Sequence, residues 1–136
     1  MIFVDTNYWI YYLDSRLPEH KYVKKTMRNA IQSGLMTSYV SILEVGHFLR
    51  KLPRLEFQEY MGLIQGLSTL RILELDKETA SLALDLLPNL AIKGLGGRDC
   101  IIVATMKLVG IREIATHDQA FKTVEGVEVI DDIPRN

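Results

Sequence analysis

Asp5, Glu44, Asp99 and Asp118 are the acids whose surroundings in the chain suit them to chemistry. Asp5 closes the apolar run Ile2-Phe3-Val4, Asp118 follows the run Ile111 to Ala115, Glu44 ends Ser41-Ile42-Leu43-Glu44, and Asp99 follows the loop Gly94-Leu95-Gly96-Gly97. Carboxylates a few ångströms apart repel and raise one another's pKa, so a cluster of four is costly unless something positive occupies it. No interior cation is obvious from the sequence, and a hard divalent ion meets the need. All-oxygen ligands favour Mg²⁺ or Mn²⁺ over zinc, and a site of this kind keeps waters and room for a phosphate. Such an ion activates water and steadies the attacking and leaving oxygens of a phosphodiester, so the chemistry suggested is metal-dependent phosphodiester hydrolysis.

The elements that would bring these acids together follow from the apolar pattern. Ile2-Phe3-Val4 reads as a buried strand ending at the polar turn Asp5-Thr6-Asn7. Tyr8 to Leu13 and the face Val23, Met27, Ala30 and Ile31 read as a helical pair closed by Gly34. Leu35 to Ser38 is a second strand. Ser41 opens a helix that runs to Pro53, and Pro53 starts another with Leu55, Phe57, Tyr60, Met61, Ile64 and Leu67 on its apolar face. Leu70 to Leu75 alternates as a strand, and Asp76 caps a helix that Pro88 bends or ends. A helix from about Arg98 to Val109 and strands at Ile111 to Ala115 and Val127 to Ile130 complete the chain. Strands alternating with helices indicate an α/β fold of three layers, helices on both faces of a mainly parallel sheet. No repeat, low-complexity stretch or linker interrupts it, so one domain over residues 1–136 is expected. Asp5 and Asp118 would then stand at the carboxyl ends of parallel strands, where open α/β sheets place their sites. Glu44 and Asp99 would lie in the first turns of helices facing the same crevice.

Composition narrows the class. The chain has 136 residues, 48% hydrophobic and 24% charged. A chain near this size buries roughly 68% of its unfolded surface and needs no staple to fold. No apolar run approaches the length of a membrane span, and the N-terminus lacks the pattern of an export signal, so a cytoplasmic, membrane-free protein is expected. Sixteen basic against seventeen acidic residues exclude a generally basic nucleic-acid coat but leave room for a local patch. Cys100 is alone, and His20, His47 and His117 fit no zinc spacing with it.

Each acid also has a plainer reading. Ser41-x-x-Glu44 fits a capping box, Asp99 gains roughly 0.3 to 1 kcal/mol from the dipole of its helix, Asp5 suits a turn and Asp118 suits the cap of a short helix. Gly94-Leu95-Gly96-Gly97 reads as a flexible entry that lets the Asp99 helix approach the sheet edge, not as a dinucleotide loop, because Asp99 stands where the third glycine would be. Arg50, Lys51 and Arg98 are the candidate phosphate contacts, and binding through them would weaken steeply with salt. Tyr8-Trp9-Ile10-Tyr11-Tyr12-Leu13 holds too many aromatics for one short helix to bury at once, so it is either core with amphipathic tyrosines or a surface for a homodimer or another protein partner.

The motifs Val4-Asp5-Thr6-Asn7, Ser38 to Glu44-Val45, Arg98-Asp99-Cys100-Ile101-Ile102-Val103-Ala104-Thr105 and Thr116-His117-Asp118-Gln119-Ala120-Phe121, in that order, resemble PIN domains over nearly the whole chain. They are most similar to the small stand-alone ribonuclease toxins called VapC. Carried over residue by residue, the resemblance implies an acidic metal site of Asp5, Glu44, Asp99 and Asp118 holding Mg²⁺ or Mn²⁺, and endonucleolytic cleavage of RNA that leaves a 5′-phosphate and a 3′-hydroxyl. It also implies an antitoxin partner and membership of a VapBC-type toxin–antitoxin pair. Thr6, Asn7 and Thr116 match the polar positions flanking the acids, where hydrogen bonds to ligands are expected. Ala120 stands where many relatives carry a further acid, which removes a candidate ligand for a second metal ion.

Other readings stay open at this level: a PIN-type RNA-processing nuclease, a PIN scaffold that binds RNA or protein without cutting, and a receiver-like Mg²⁺-binding signalling module. The last would need an early acidic pair and a lysine at the end of a late strand, whereas the late strand here ends at Thr116 and Asp118. An aspartyl phosphatase would need an acid at Asn7.

Overall fold

A computed structural model of the chain describes residues 1–135; Asn136, the last residue of the expected domain, lies outside the described residues. The elements run β1 (Ile2–Val4), α1 (Thr6–Leu13), α2 (His20–Ser33), β2 (Leu35–Ser38), α3 (Tyr39–Leu49), α4 (Arg54–Gln65), β3 (Leu70–Leu73), α5 (Lys77–Ile92), α6 (Gly97–Val109), β4 (Glu113–Ala115), a short 3₁₀ helix (Gln119–Thr123) and β5 (Glu128–Ile130). The five strands form one parallel sheet in the order β3-β2-β1-β4-β5. The chain builds outward from β1 to β3 on one side and from β4 to β5 on the other, so its direction of winding reverses between β1 and β4. That switch point is where an open parallel sheet leaves a crevice beyond the carboxyl ends of its strands.

Side-chain alternation along the strands divides the core. Phe3, Met36 and Ile114 pack with Ile102, Val103 and Met106 of α6 on one face. Val4, Leu35 and Ala115, each one residue on or back, pack with Tyr8, Trp9, Val23, Met27, Ile42 and Val45 on the other. Both faces of the sheet are therefore covered, which is why its strands read as continuous apolar runs and not as half-exposed alternations.

Several element boundaries depart from the sequence expectation, for physical reasons. Helix α1 begins at Thr6, immediately after Asp5, whose side chain accepts from the Thr6 N–H. Helix α3 begins at Tyr39 because Ser38, not Ser41, is its cap: the Ser38 Oγ accepts from the Ser41 N–H at 3.2 Å. The capping box expected at Ser41 and Glu44 is therefore not formed, and Glu44 lies in the second turn of the helix. Helix α5 passes through Pro88 to Ile92. Proline removes the N–H that would have bonded to the carbonyl of Leu84, and Leu84 is 68% exposed, so that carbonyl lies on a face open to water. The aromatic helix α1 is core: Tyr8 and Trp9 are at most 1% exposed and the rest of its apolar residues are half-buried. Helices α3 and α4 expose several apolar side chains, Tyr39, Leu43, Phe48, Leu55 and Leu63, as α5 does at Leu84 and Ile92. Among the described residues no helix is long and apolar enough to cross a membrane.

Candidate functional site

Asp5 stands at the switch point because its backbone N–H extends the β1–β4 ladder, donating to the Ala115 carbonyl at 3.0 Å. Its side chain is 1% exposed. Oδ1 accepts from the Thr6 N–H at 2.7 Å and from Arg98 Nη2 at 2.5 Å, while Oδ2 accepts from the Thr116 hydroxyl at 2.8 Å. Three donors on one carboxylate fix its orientation.

The polar residues expected beside the acids form a frame around Asp5. Thr116, fully buried at the end of β4, donates to Asp5 and accepts from the Asp118 N–H at 3.1 Å and from Asn7 Nδ2 at 3.2 Å. Asn7 in turn accepts from the His117 N–H at 3.1 Å. The loop after β4 is thus tied to the first turn of α1. Thr6 donates its hydroxyl to Glu44 Oε1 at 3.1 Å and accepts from Arg98 Nη2 at 3.0 Å.

Arg98 is the centre of the arrangement. Its Nη2 reaches Asp5, its Nη1 reaches Asp99 Oδ1 at 2.6 Å, and its Nε donates to Glu44 Oε1. The expectation of four acids with no interior cation is corrected here: three of them meet on one guanidinium, drawn from the residue preceding Asp99. Burial pulls the guanidinium pKa down, but the charges of Asp5 and Glu44 and the hydrogen bonds to both outweigh it, so the net shift is upward. Arg98 lies within the acid cluster and not on a flank of the crevice.

Asp118 is placed differently. Its carboxylate caps the 3₁₀ helix, Oδ1 accepting from the Ala120 N–H at 3.0 Å, and only its backbone joins the frame through Thr116. Asp99 also serves as a cap, Oδ2 accepting from the Gly96 N–H at 3.0 Å. The glycines before it are not there for close approach: a Cβ at Gly96 or Gly97 would meet open space, and only Gly94, with φ near +91°, requires glycine.

Arg50 and Lys51 line an open groove of about 670 Å³ together with Thr6, Leu43, Glu44, His47 and Phe48, so two of the candidate phosphate contacts border the cluster from the end of α3. One group went unnoticed in the sequence. Asp131, after β5, accepts from Tyr8 Oη at 3.2 Å and from Gln119 Nε2 at 2.9 Å, and lies 2.8 Å from His117 Nδ1. It fastens the C-terminal segment over α1 and the site loop. Nothing in its local sequence signals the contact with α1, which spans 123 positions.

The donor set fits a hard divalent ion in kind. Asp5, Glu44 and Asp99 present oxygens to one shared cation, the guanidinium, and three carboxylates against one guanidinium leave negative charge uncompensated. With the guanidinium among them the acids stand apart, and no three acidic, histidine or cysteine side chains among the described residues are arranged to hold a metal directly.

The chain matches the PIN domain family over residues 2–127 and belongs to that family. Solved structures share its fold. The toxin VapC20 of Mycobacterium tuberculosis, described as cleaving the sarcin-ricin loop, is 18% identical, with 84% of this chain and 87% of that one covered at a TM-score of 0.72. VapBC2 of Rickettsia felis, bound to a fragment of promoter DNA, is 18% identical over 96% and 98% of the two chains at 0.73. FitAcB of Neisseria gonorrhoeae is 22% identical over 95% and 96% at 0.72. No curated protein matches the sequence.

Proposed function

We propose that this PIN domain, a single domain over residues 1–136, is a Mg²⁺- or Mn²⁺-dependent endoribonuclease acting in the cytoplasm as the toxin of a VapBC-type toxin–antitoxin pair. The observation that carries this reading is the convergence of Asp5, Glu44 and Asp99 on one cation at the switch point of a parallel sheet. A divalent ion bound there supplies charge stabilisation to a phosphodiester and lowers the pKa of water.

The roles of the chain's own residues follow from their contacts. Asp5, Glu44, Asp99 and Asp118 are the acids that would hold the ion. Thr116 and Thr6 set the rotamers of Asp5 and Glu44, and Asn7 holds the loop that carries Asp118. Asp118 has no protein hydrogen bond on Oδ2 among the described residues, which leaves that oxygen available for the ion or for the proton of an attacking water. Arg50 and Lys51, on the groove beside Glu44, would hold RNA phosphates. An antitoxin partner is supported by solved relatives that are VapBC complexes, and the exposed Leu43, Phe48 and Leu55 offer apolar surface for a partner or for a second copy in a homodimer.

The test is incubation of purified protein with total RNA in Mn²⁺, Mg²⁺ or EDTA, alongside Asp99→Asn. Cleavage that needs the metal and disappears in the variant is expected; cleavage in EDTA, or an active variant, rejects the reading. One observation favours a second reading, a non-cutting PIN scaffold: Arg98 already neutralises part of the cluster. The same assay decides, since a scaffold leaves RNA intact with every metal.

A further inference from the structure

We propose that Arg98 is the resident counter-ion of the metal position: it holds Asp5, Glu44 and Asp99 together when no divalent ion is bound, and it competes with that ion for the same oxygens. This inference rests on the metal-dependent reading above.

Asp5 commits Oδ2 to Thr116, and Asp99 commits Oδ2 to the Gly96 N–H. In both residues Oδ1 is the oxygen turned toward the other acids, and Arg98 holds it, sharing the Asp5 oxygen with the Thr6 N–H. Glu44 gives Arg98 the oxygen that also accepts from Thr6. A divalent ion taking these positions must displace guanidinium contacts, so the two cations cannot both be fully coordinated.

The placement of Arg98 points the same way. It is the second residue of α6, after the cap Gly96. A positive charge in the first turn is opposed by the helix dipole. Its position there is therefore explained by the acids and not by the helix. Three separate nitrogens serve three separate carboxylates, a division the planar guanidinium makes possible and a lysine ammonium, a single point of charge, does not reproduce. A guanidinium so engaged keeps three like charges from repelling one another while the protein lacks metal.

The experiment is calorimetric titration of the purified full-length chain with MnCl₂ alone, together with melting in EDTA, for wild type and Arg98→Met. Methionine keeps much of the stem and removes the charge. The variant is expected to bind Mn²⁺ at least tenfold more tightly, since even one charge-assisted contact surrendered is worth about that factor. It should also melt below wild type in EDTA, and that deficit should close in saturating Mn²⁺. A purely structural ion pair would instead lower the melting temperature equally with and without metal and leave affinity unchanged. If wild type binds Mn²⁺ and Arg98→Met binds no more tightly, the counter-ion role is refuted while the nuclease reading stands. If neither protein binds Mn²⁺, both readings fall together. Should Arg98→Met not fold without metal, Arg98→Lys takes its place: affinity raised by a smaller factor supports the proposal, and affinity equal to wild type overturns it.

Discussion

Replacing Asp5 with asparagine separates what the carboxylate does for the fold from what it does for the ion. Asp5 accepts from three donors through two oxygens, whereas asparagine has one acceptor oxygen and an amide that donates. If the amide faces Thr116, it meets a hydroxyl that already accepts from Asn7 and from the Asp118 N–H. If it faces the other way, it meets the Thr6 N–H and the guanidinium. The first orientation loses one buried hydrogen bond and the second loses two, so the variant takes the first, at about 1–3 kcal/mol. Removing one partner of a buried ion pair costs about 3–5 kcal/mol when the other is left alone. Arg98 is not left alone: it keeps Glu44 and Asp99, its side chain is 30% exposed, and the repulsion among the acids falls. The net cost in EDTA should be about 2–3 kcal/mol, a melting temperature lower by roughly 10 °C for a chain this size. Wild type in Mn²⁺ at about one hundred times its Kd should gain about 2.7 kcal/mol, a rise of similar size. Melting by circular dichroism with EDTA and with Mn²⁺ should show the variant destabilised but folded, its response to Mn²⁺ nearly gone and RNA cleavage abolished. A variant that keeps the full Mn²⁺ response, or that still cuts RNA, would refute the placement of Asp5 at the ion.

Ser38→Ala should cost about 1 kcal/mol through loss of the α3 cap, with cleavage retained because α3 keeps its packing; a stability unchanged in denaturant titration would mean that Ser41 takes over. Tyr8 is raised above its ordinary value of 10.0 by burial, reinforced by the charges of Asp131 and Asp132, against a smaller opposing contribution from the Asp132 N–H. A raised folded-state pKa contributes stability that is complete below pH 10 and is lost as pH climbs above it. Tyr8→Phe should accordingly flatten the decline of melting temperature above about pH 10, and an identical decline in the variant would disprove the assignment. Replacing Arg50 and Lys51 with alanine should reduce the salt slope of single-stranded RNA binding by about 1.4 in log–log form, measured with a catalytically silent Asp99→Asn background; an unchanged slope would remove both from the RNA path.

The parts legible in the sequence were those set by local pattern. Short apolar runs at Ile2, Leu35 and Leu70 became parallel strands because both faces of the sheet are covered, and Phe3 and Val4 pack to opposite sides as the period of two requires. The boundaries that moved did so where two local signals compete. Ser38 and Ser41 are both good caps, and the one that ends β2 prevailed, which shifted Glu44 from the first turn to the second. Pro88 is a local stop signal, yet α5 lies along α6 and its proline faces outward, so packing keeps the helix going. Arg98 was visible as a basic residue beside Asp99, but the acids it reaches lie 54 and 93 positions away, and only the closed fold brings them to it.

The competition between plain and functional readings of the acids dissolves once the topology is considered. In a parallel sheet every connecting helix starts near the carboxyl edge of a strand, so helix N-termini gather at the edge where the switch point opens. A carboxylate at that edge is placed both to cap a helix and to face the crevice, and the helix dipoles lower the cost of bringing such charges together. Asp5 caps α1 with the oxygen it shares with Arg98, while Asp99 divides its two oxygens between the cap of α6 and the guanidinium. Capping fixes the rotamer, and a fixed rotamer aims the remaining electron pairs. A structural role for these residues is therefore compatible with the proposed metal role, and variants that spare the cap but remove the charge are the ones that can tell the two contributions apart.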